Sequence, residues 1–197
     1  MIKTTQILIN ELKDYKNPKT KIQRMVSNGE IFPIIKGLYE TDKNVNPFYL
    51  SDLIYHPAYI SFETALSFYE LIPERVVQIK CTTFNKKRKK EYKTYFGNYT
   101  YQDVPTNVFP YGVKIISFEN YTYKIACLEK ALLDKLYDSP HIANSKDMRD
   151  YLFEDMRVNP FVLEKLDKEF IYGIYKLYHS RNIDIFVNML RRNKLND

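Results

Sequence analysis

Two segments frame this chain of 197 residues. The first is Ile60-Ser61-Phe62-Glu63-Thr64-Ala65-Leu66-Ser67-Phe68-Tyr69, and the second is Leu128-Glu129-Lys130-Ala131-Leu132-Leu133-Asp134. Both place apolar residues at helical spacing, which predicts helices over residues 62–71 and 127–136. Between them lie runs rich in β-branched and aromatic residues, at 76–82, 92–101, 113–118 and 121–126. Several of these alternate with period two, as half-buried strands do. Amphipathic helices are predicted after the second segment, at 146–156, 160–178 and 181–192, with Asn159-Pro160 marking a helix start. Strands grouped between helices point to the α+β class, here a mixed β-sheet flanked by helices with a helical C-terminal tail.

A smaller unit leads this domain. Ile7, Leu8, Leu12 and Tyr15 predict a helix over 4–14, with Thr4 or Thr5 as its N-cap. Lys16-Asn17-Pro18 breaks it, since Asn suits an N-cap and Pro the first helical position. A second helix over 18–28 buries Ile22, Met25 and Val26 and closes at Asn28-Gly29. Residues 31–35 and 38–40 read as two short strands around Lys36-Gly37, a hairpin with a basic tip. Helix, helix and two-stranded wing outline a winged helix-turn-helix over 1–45. Residues 41–47 are polar and read as a linker without core residues, so the α+β domain spans 46–197. Its first helix is expected over 48–56.

A winged module sets its second helix in the major groove and lays its wing on phosphates or the minor groove. The exposed face of helix 18–28 would present Lys19, Thr20, Gln23, Arg24 and Ser27, and Lys36 is the natural wing contact. Gln and Arg can make bidentate base contacts, while Lys, Thr and Ser commonly hold phosphates. The plainer alternative is a solvated polar helix face. A net charge of +6 fits a nucleic-acid partner, though many soluble proteins are as basic. The densest charge is Lys86, Lys87, Arg88, Lys89 and Lys90. It reads either as an arm for nucleic acid or an acidic partner, or as a hairpin loop kept solvated by like charges.

Other chemistry finds little footing. His56, His141 and His179 have no Cys or His neighbour at ligand spacing, and Cys81 and Cys127 form neither a disulfide framework nor a zinc site. No metal or cofactor is expected. The carboxylates Glu63, Glu129 and Asp134 read as helix-surface residues or partners of Lys and Arg, so no catalytic residue is assigned. The tyrosine-rich stretches follow strand and helix periods and are expected to pack rather than to stack on bases. No apolar run approaches the length of a membrane span. The N-terminus lacks the layout of a signal peptide, and the free cysteines fit a reducing cytoplasm.

Together the residues resemble a known family, the AbiEi-type antitoxins, regulators of phage abortive-infection (type IV toxin–antitoxin) systems. The resemblance rests on Asn28-Gly29-Glu30-Ile31 with Lys36-Gly37-Leu38-Tyr39, on Ile60-Ser61-Phe62-Glu63-Thr64-Ala65-Leu66, and on Glu129-Lys130-Ala131-Leu132-Leu133-Asp134. It covers residues 4–136. It implies an N-terminal winged helix that represses the protein's own operon by binding operator DNA. It also implies a C-terminal domain that counters a nucleotidyltransferase-like toxin without a stable complex. The first reading is therefore an antitoxin and DNA-binding autorepressor with no catalytic activity of its own. The chain departs from the family in being short and in having two helices before the wing where three are usual. A second reading is a protein-interaction module that binds and masks the toxin directly. A third is an enzyme acting on nucleic acid or nucleotides.

Overall fold

Residues 1–74, 77–118 and 121–192 are described by a computed structural model. A strand that the sequence did not announce, β1 (Ile2–Thr4), leads directly into α1 (Thr5–Glu11), which starts where expected and ends short of residue 14. Thr4 ends the strand and caps the helix, its hydroxyl accepting from the Ile7 N–H at 3.3 Å. α2 (Pro18–Ser27) follows the sequence signals closely. The Asn17 side chain accepts from the Thr20 N–H, and Pro18 fills the first position, where a missing N–H costs nothing. Past Asn28, Gly29 takes φ +70°, a left-handed conformation that ends the helix. Leu8, Ile22 and Ile31 form a small core, with Met25, Val26 and Tyr39 packed around it.

β2 (Phe32–Ile35) and β3 (Leu38–Glu40) pair antiparallel as expected, and β1 joins them in a three-stranded sheet of order β1-β3-β2. Residues 41–47 carry a core residue after all. Val45 is buried and joins the large core, as does Ile34 of β2. The Phe32 ring lies 4.6 Å from that of Tyr95, so the leading unit packs on the main sheet as well as on itself. Asn46 then caps α3 (Pro47–Ile54), again with proline at the helix start.

The main sheet comprises β4 (Ala58–Ile60), β5 (Gln78–Thr83), β6 (Lys90–Thr94), β7 (Gly97–Asp103), β8 (Val113–Phe118) and β9 (Tyr121–Ala126). Its order is β6-β7-β5-β4-β9-β8. The β5/β7 and β4/β9 pairs are parallel and the other pairs antiparallel. The stretch expected as one strand over 92–101 is a hairpin that turns at Tyr95-Phe96, with Thr94 opposite Gly97. Val76, expected to open the strand over 76–82 that β5 forms, lies outside the described residues.

Alternate side chains face opposite sides of the sheet. Tyr99 and Tyr101 reach α3, donating to the carbonyls of Pro47 at 2.8 Å and Ser51 at 2.7 Å. Tyr59, on the other side, reaches α5 (Leu128–Asp138). α4 (Phe62–Phe68) leaves the end of β4 and packs against α5.

The C-terminal segments form α6 (Ser145–Asp150), a π-helical turn (Tyr151–Asp155), α7 (Pro160–Glu164), α8 (Lys168–Ile174), a 3-10 turn (Tyr175–Tyr178) and α9 (Arg181–Arg191). They are no tail. Met148, Leu163, Ile171, Tyr178, Ile183 and Phe186 all enter the large core. No helix among the described residues is long and apolar enough to cross a membrane.

Candidate functional site

On α2, Lys19, Thr20, Gln23, Arg24 and Ser27 are all exposed. At 3.6 residues per turn they cover an arc of roughly 140°, opposite the arc that carries Ile22, Met25 and Val26. The side chains of Lys19, Gln23 and Arg24 have no hydrogen-bond or ionic partner among the described residues, whereas the Ser27 hydroxyl donates to the Gln23 carbonyl at 3.1 Å. Lys36 is exposed in the β2–β3 turn, which is tied to the start of α1 by the Thr5 N–H bonding the Gly37 carbonyl at 2.9 Å. Five polar residues on one helix and a lysine on a braced turn thus stand in the same small unit, and the side-chain donors of Lys19, Gln23 and Arg24 are unspent among the described residues.

The basic run at 86–90 is not a hairpin tip. It links β5 to β6, and β7 lies between those two strands. Nor is it merely solvated. The Lys86 and Lys90 ammoniums each stand 4.9 Å from the centroid of the Tyr55 ring, and Arg88 Nε donates to the Tyr55 hydroxyl at 3.3 Å. That bond raises the Arg88 pKa above its ordinary value. Lys89 pairs with Asp138 at 3.0 Å, and the Lys87 backbone N–H donates to Asp103 at 2.6 Å. Charge alone gave no sign of this aromatic platform.

The two framing segments of the sequence meet inside the protein. Ser61 donates to Asp134 Oδ2 at 2.6 Å, joined by the Tyr59 hydroxyl at 3.3 Å. Asp134 Oδ1 accepts from Tyr178 at 2.7 Å and from the Lys130 ammonium. Lys130 and Asp134 are wholly buried, and the ammonium lies 5.4 Å and 5.2 Å from the Tyr59 and Tyr178 ring centroids. Burial pushes the Lys130 pKa down, against the attraction of Asp134. Burial and the Asp134 charge push both tyrosines well above their ordinary value. Charged side chains this deep persist only when paired and hydrogen-bonded. Asp134, read as a helix-surface residue or a partner of Lys or Arg, is such a partner, and with Lys130 it forms the polar centre of the core.

Phe62 separates the inward Ser61 from the outward Glu63 with a left-handed φ of +53°. Such a conformation is held by surrounding structure, here by the complete burial of the Phe62 ring. Glu63 is held between Lys135 at 2.7 Å and Lys80 at 2.9 Å. Burial alone would raise its pKa, but the bonds from Lys135 and Lys80 outweigh burial and bring it below the ordinary value. This trio rims a cavity of about 390 Å³ with apolar walls from Ile72, Tyr151 and Met156.

A carboxylate stabilised by two ammoniums is a weak base, and Asp134 has no exposed surface for a substrate to reach. Glu129 accepts from the Asp167 N–H at 3.0 Å. Cys81 and Cys127 are free and buried, and no cluster of three or more His, Cys, Asp or Glu among the described residues could hold a metal ion.

The sequence missed Tyr55, Tyr59, Lys80, Lys135 and Tyr178. All are joined to their partners by the fold rather than by spacing, and local periodicity carries no sign of them. Compared with known proteins, the chain matches no family model and no curated relative.

Proposed function

We propose that this protein is the antitoxin of a bacterial toxin–antitoxin or phage-defence module. It counters a nucleotidyltransferase-like toxin and represses its own operon through an N-terminal winged helix-turn-helix. The observation that carries the DNA-binding half is the α2 face, where Lys19, Gln23 and Arg24 are exposed and without partners, on the same unit as the exposed Lys36 turn. In this reading Arg24 and Gln23 contact base edges, while Lys19, Thr20, Ser27 and Lys36 hold phosphates. The antitoxin half rests on the resemblance in the two framing segments. The protein acts without catalysis of its own, a reading supported by the engagement of Glu63, Glu129 and Asp134 in structural bonds.

Direct masking of the toxin is the second reading, and exposed apolar side chains favour it. Phe161 is 76% exposed, and Ile115 is 70% exposed on β8, an edge strand of the main sheet. Exposed apolar side chains, one of them on an open edge strand, suit a protein partner.

Co-expression separates these possibilities. The product of the adjacent gene should arrest growth alone, and the full chain should restore it without co-purifying with that product. Restored growth with a stable co-purifying complex selects masking. A neighbour that leaves growth unaffected, or arrest that this protein fails to relieve, overturns the antitoxin reading.

A further inference from the structure

Lys86, Arg88 and Lys90 converge on a single tyrosine. The Lys86 and Lys90 ammoniums each lie 4.9 Å from the Tyr55 ring centroid, so they stand no further apart than twice that distance. Arg88 Nε holds the Tyr55 hydroxyl at 3.3 Å, and Lys90 also donates to the Tyr92 hydroxyl at 2.9 Å. None of the three is paired with a carboxylate among the described residues. Lys80, Lys89, Lys124, Lys130 and Lys135 of the same domain all are.

The cluster is built into the fold. Asn85 and Lys87 take left-handed φ values of +51° and +56°, which turn the loop back on itself. Asparagine tolerates that conformation; lysine does so at a cost that neighbouring structure must offset. The anchor is Asp103, which accepts from the Lys87 N–H at 2.6 Å and from the Thr83 hydroxyl at 2.7 Å. Aromatic faces attract cations without neutralising them. Three like charges gathered on one platform, with no carboxylate paired to them among the described residues, make a positive field at a fixed place.

We propose that this cluster binds the phosphodiester backbone of nucleic acid without regard to sequence, as a site separate from the α2 face. Arg88 is exposed and the two lysines are half-buried, with Lys90 also bordering a cavity of about 250 Å³, so three separated cations can each meet a phosphate of one chain lying across them. Phosphate contacts of this kind carry affinity and salt dependence but no sequence information. The site does not depend on operator recognition.

Fluorescence anisotropy with a short single-stranded oligouridylate, its DNA counterpart and a duplex unrelated to the operator tests it at low salt. The Lys86→Ser/Arg88→Ser variant should bind about tenfold more weakly and lose about 1.4 units from the log–log salt slope on the single strands and about 1.8 on the duplex. The charge-matched variant Lys87→Ser/Lys93→Ser removes side chains without such partners, and should weaken binding by less than about threefold. Arg24→Ala should leave oligouridylate binding unchanged, so failure here and failure of operator binding are read separately. Equal losses in the two double variants, with thermal stability retained, would overturn the site. So would absence of binding by the wild type, or equally effective competition by uridine monophosphate at matched phosphate concentration.

Discussion

Replacing Asp134 with alanine is expected to destabilise the protein by about 3–5 kcal/mol, the usual cost of breaking a buried ion pair from one side. Its carboxylate is the common acceptor for Lys130, Tyr59, Ser61 and Tyr178. Removal strands an ammonium and three hydroxyls where no solvent reaches, and each unsatisfied group adds its own desolvation cost. For a chain of this size the melting temperature should fall by roughly 6–20 °C. Urea denaturation measures the change directly, and Lys93→Ser, on the surface, serves as a control within about 0.5 kcal/mol of wild type. A loss below about 1 kcal/mol for Asp134→Ala would mean that the hub is not a structural centre.

The second large effect is expected at Gly112, just before β8. Its φ is +65°, and a Cβ there would come within 2.7 Å of Phe170 Cζ, 2.9 Å of Cys127 Sγ and 3.0 Å of Lys130 Cβ. Its carbonyl also accepts from the Cys127 N–H at 2.6 Å, fixing the chain where α5 begins. Gly112→Ala therefore combines backbone strain with overpacking against the hub, at a cost of about 2–4 kcal/mol. Gly29 has a similar φ of +70° but nothing within 4 Å of its Cβ position. Gly29→Ala should therefore cost only the backbone part, about 1 kcal/mol. Equal losses at the two glycines would show that crowding at Gly112 is relieved at no cost.

What the sequence made legible was local. α2 was readable from Asn17, Pro18 and Gly29 because capping and chain reversal are decided within a few residues. β1 was not, since Ile2 finds its partner at Glu40, across the whole leading unit. The hairpin between β6 and β7 was hidden because its turn is Tyr95-Phe96, with none of the usual turn residues before Gly97. Lys130 and Asp134, four residues apart on a helix, have the spacing of an ordinary surface pair. Their burial is set by Tyr59 and Tyr178, residues 75 and 44 positions from Asp134 in the chain. The exposed face of α2 followed from helical period alone. The Tyr55 platform under the basic run could not, because Tyr55 lies 33 residues before Arg88.

Recognition of the protein's own operator by the α2 face, as proposed, is tested most directly by one affinity ratio. Purified protein is titrated against the DNA upstream of its own coding sequence and against a shuffled duplex, at physiological salt. Binding to the upstream DNA should be at least about a thousandfold tighter. Arg24→Ala should remove about 1–3 kcal/mol of that preference, whereas Lys36→Ala should weaken both duplexes alike. Equal affinity for the upstream and shuffled DNA, with wild-type behaviour of Arg24→Ala, would contradict it.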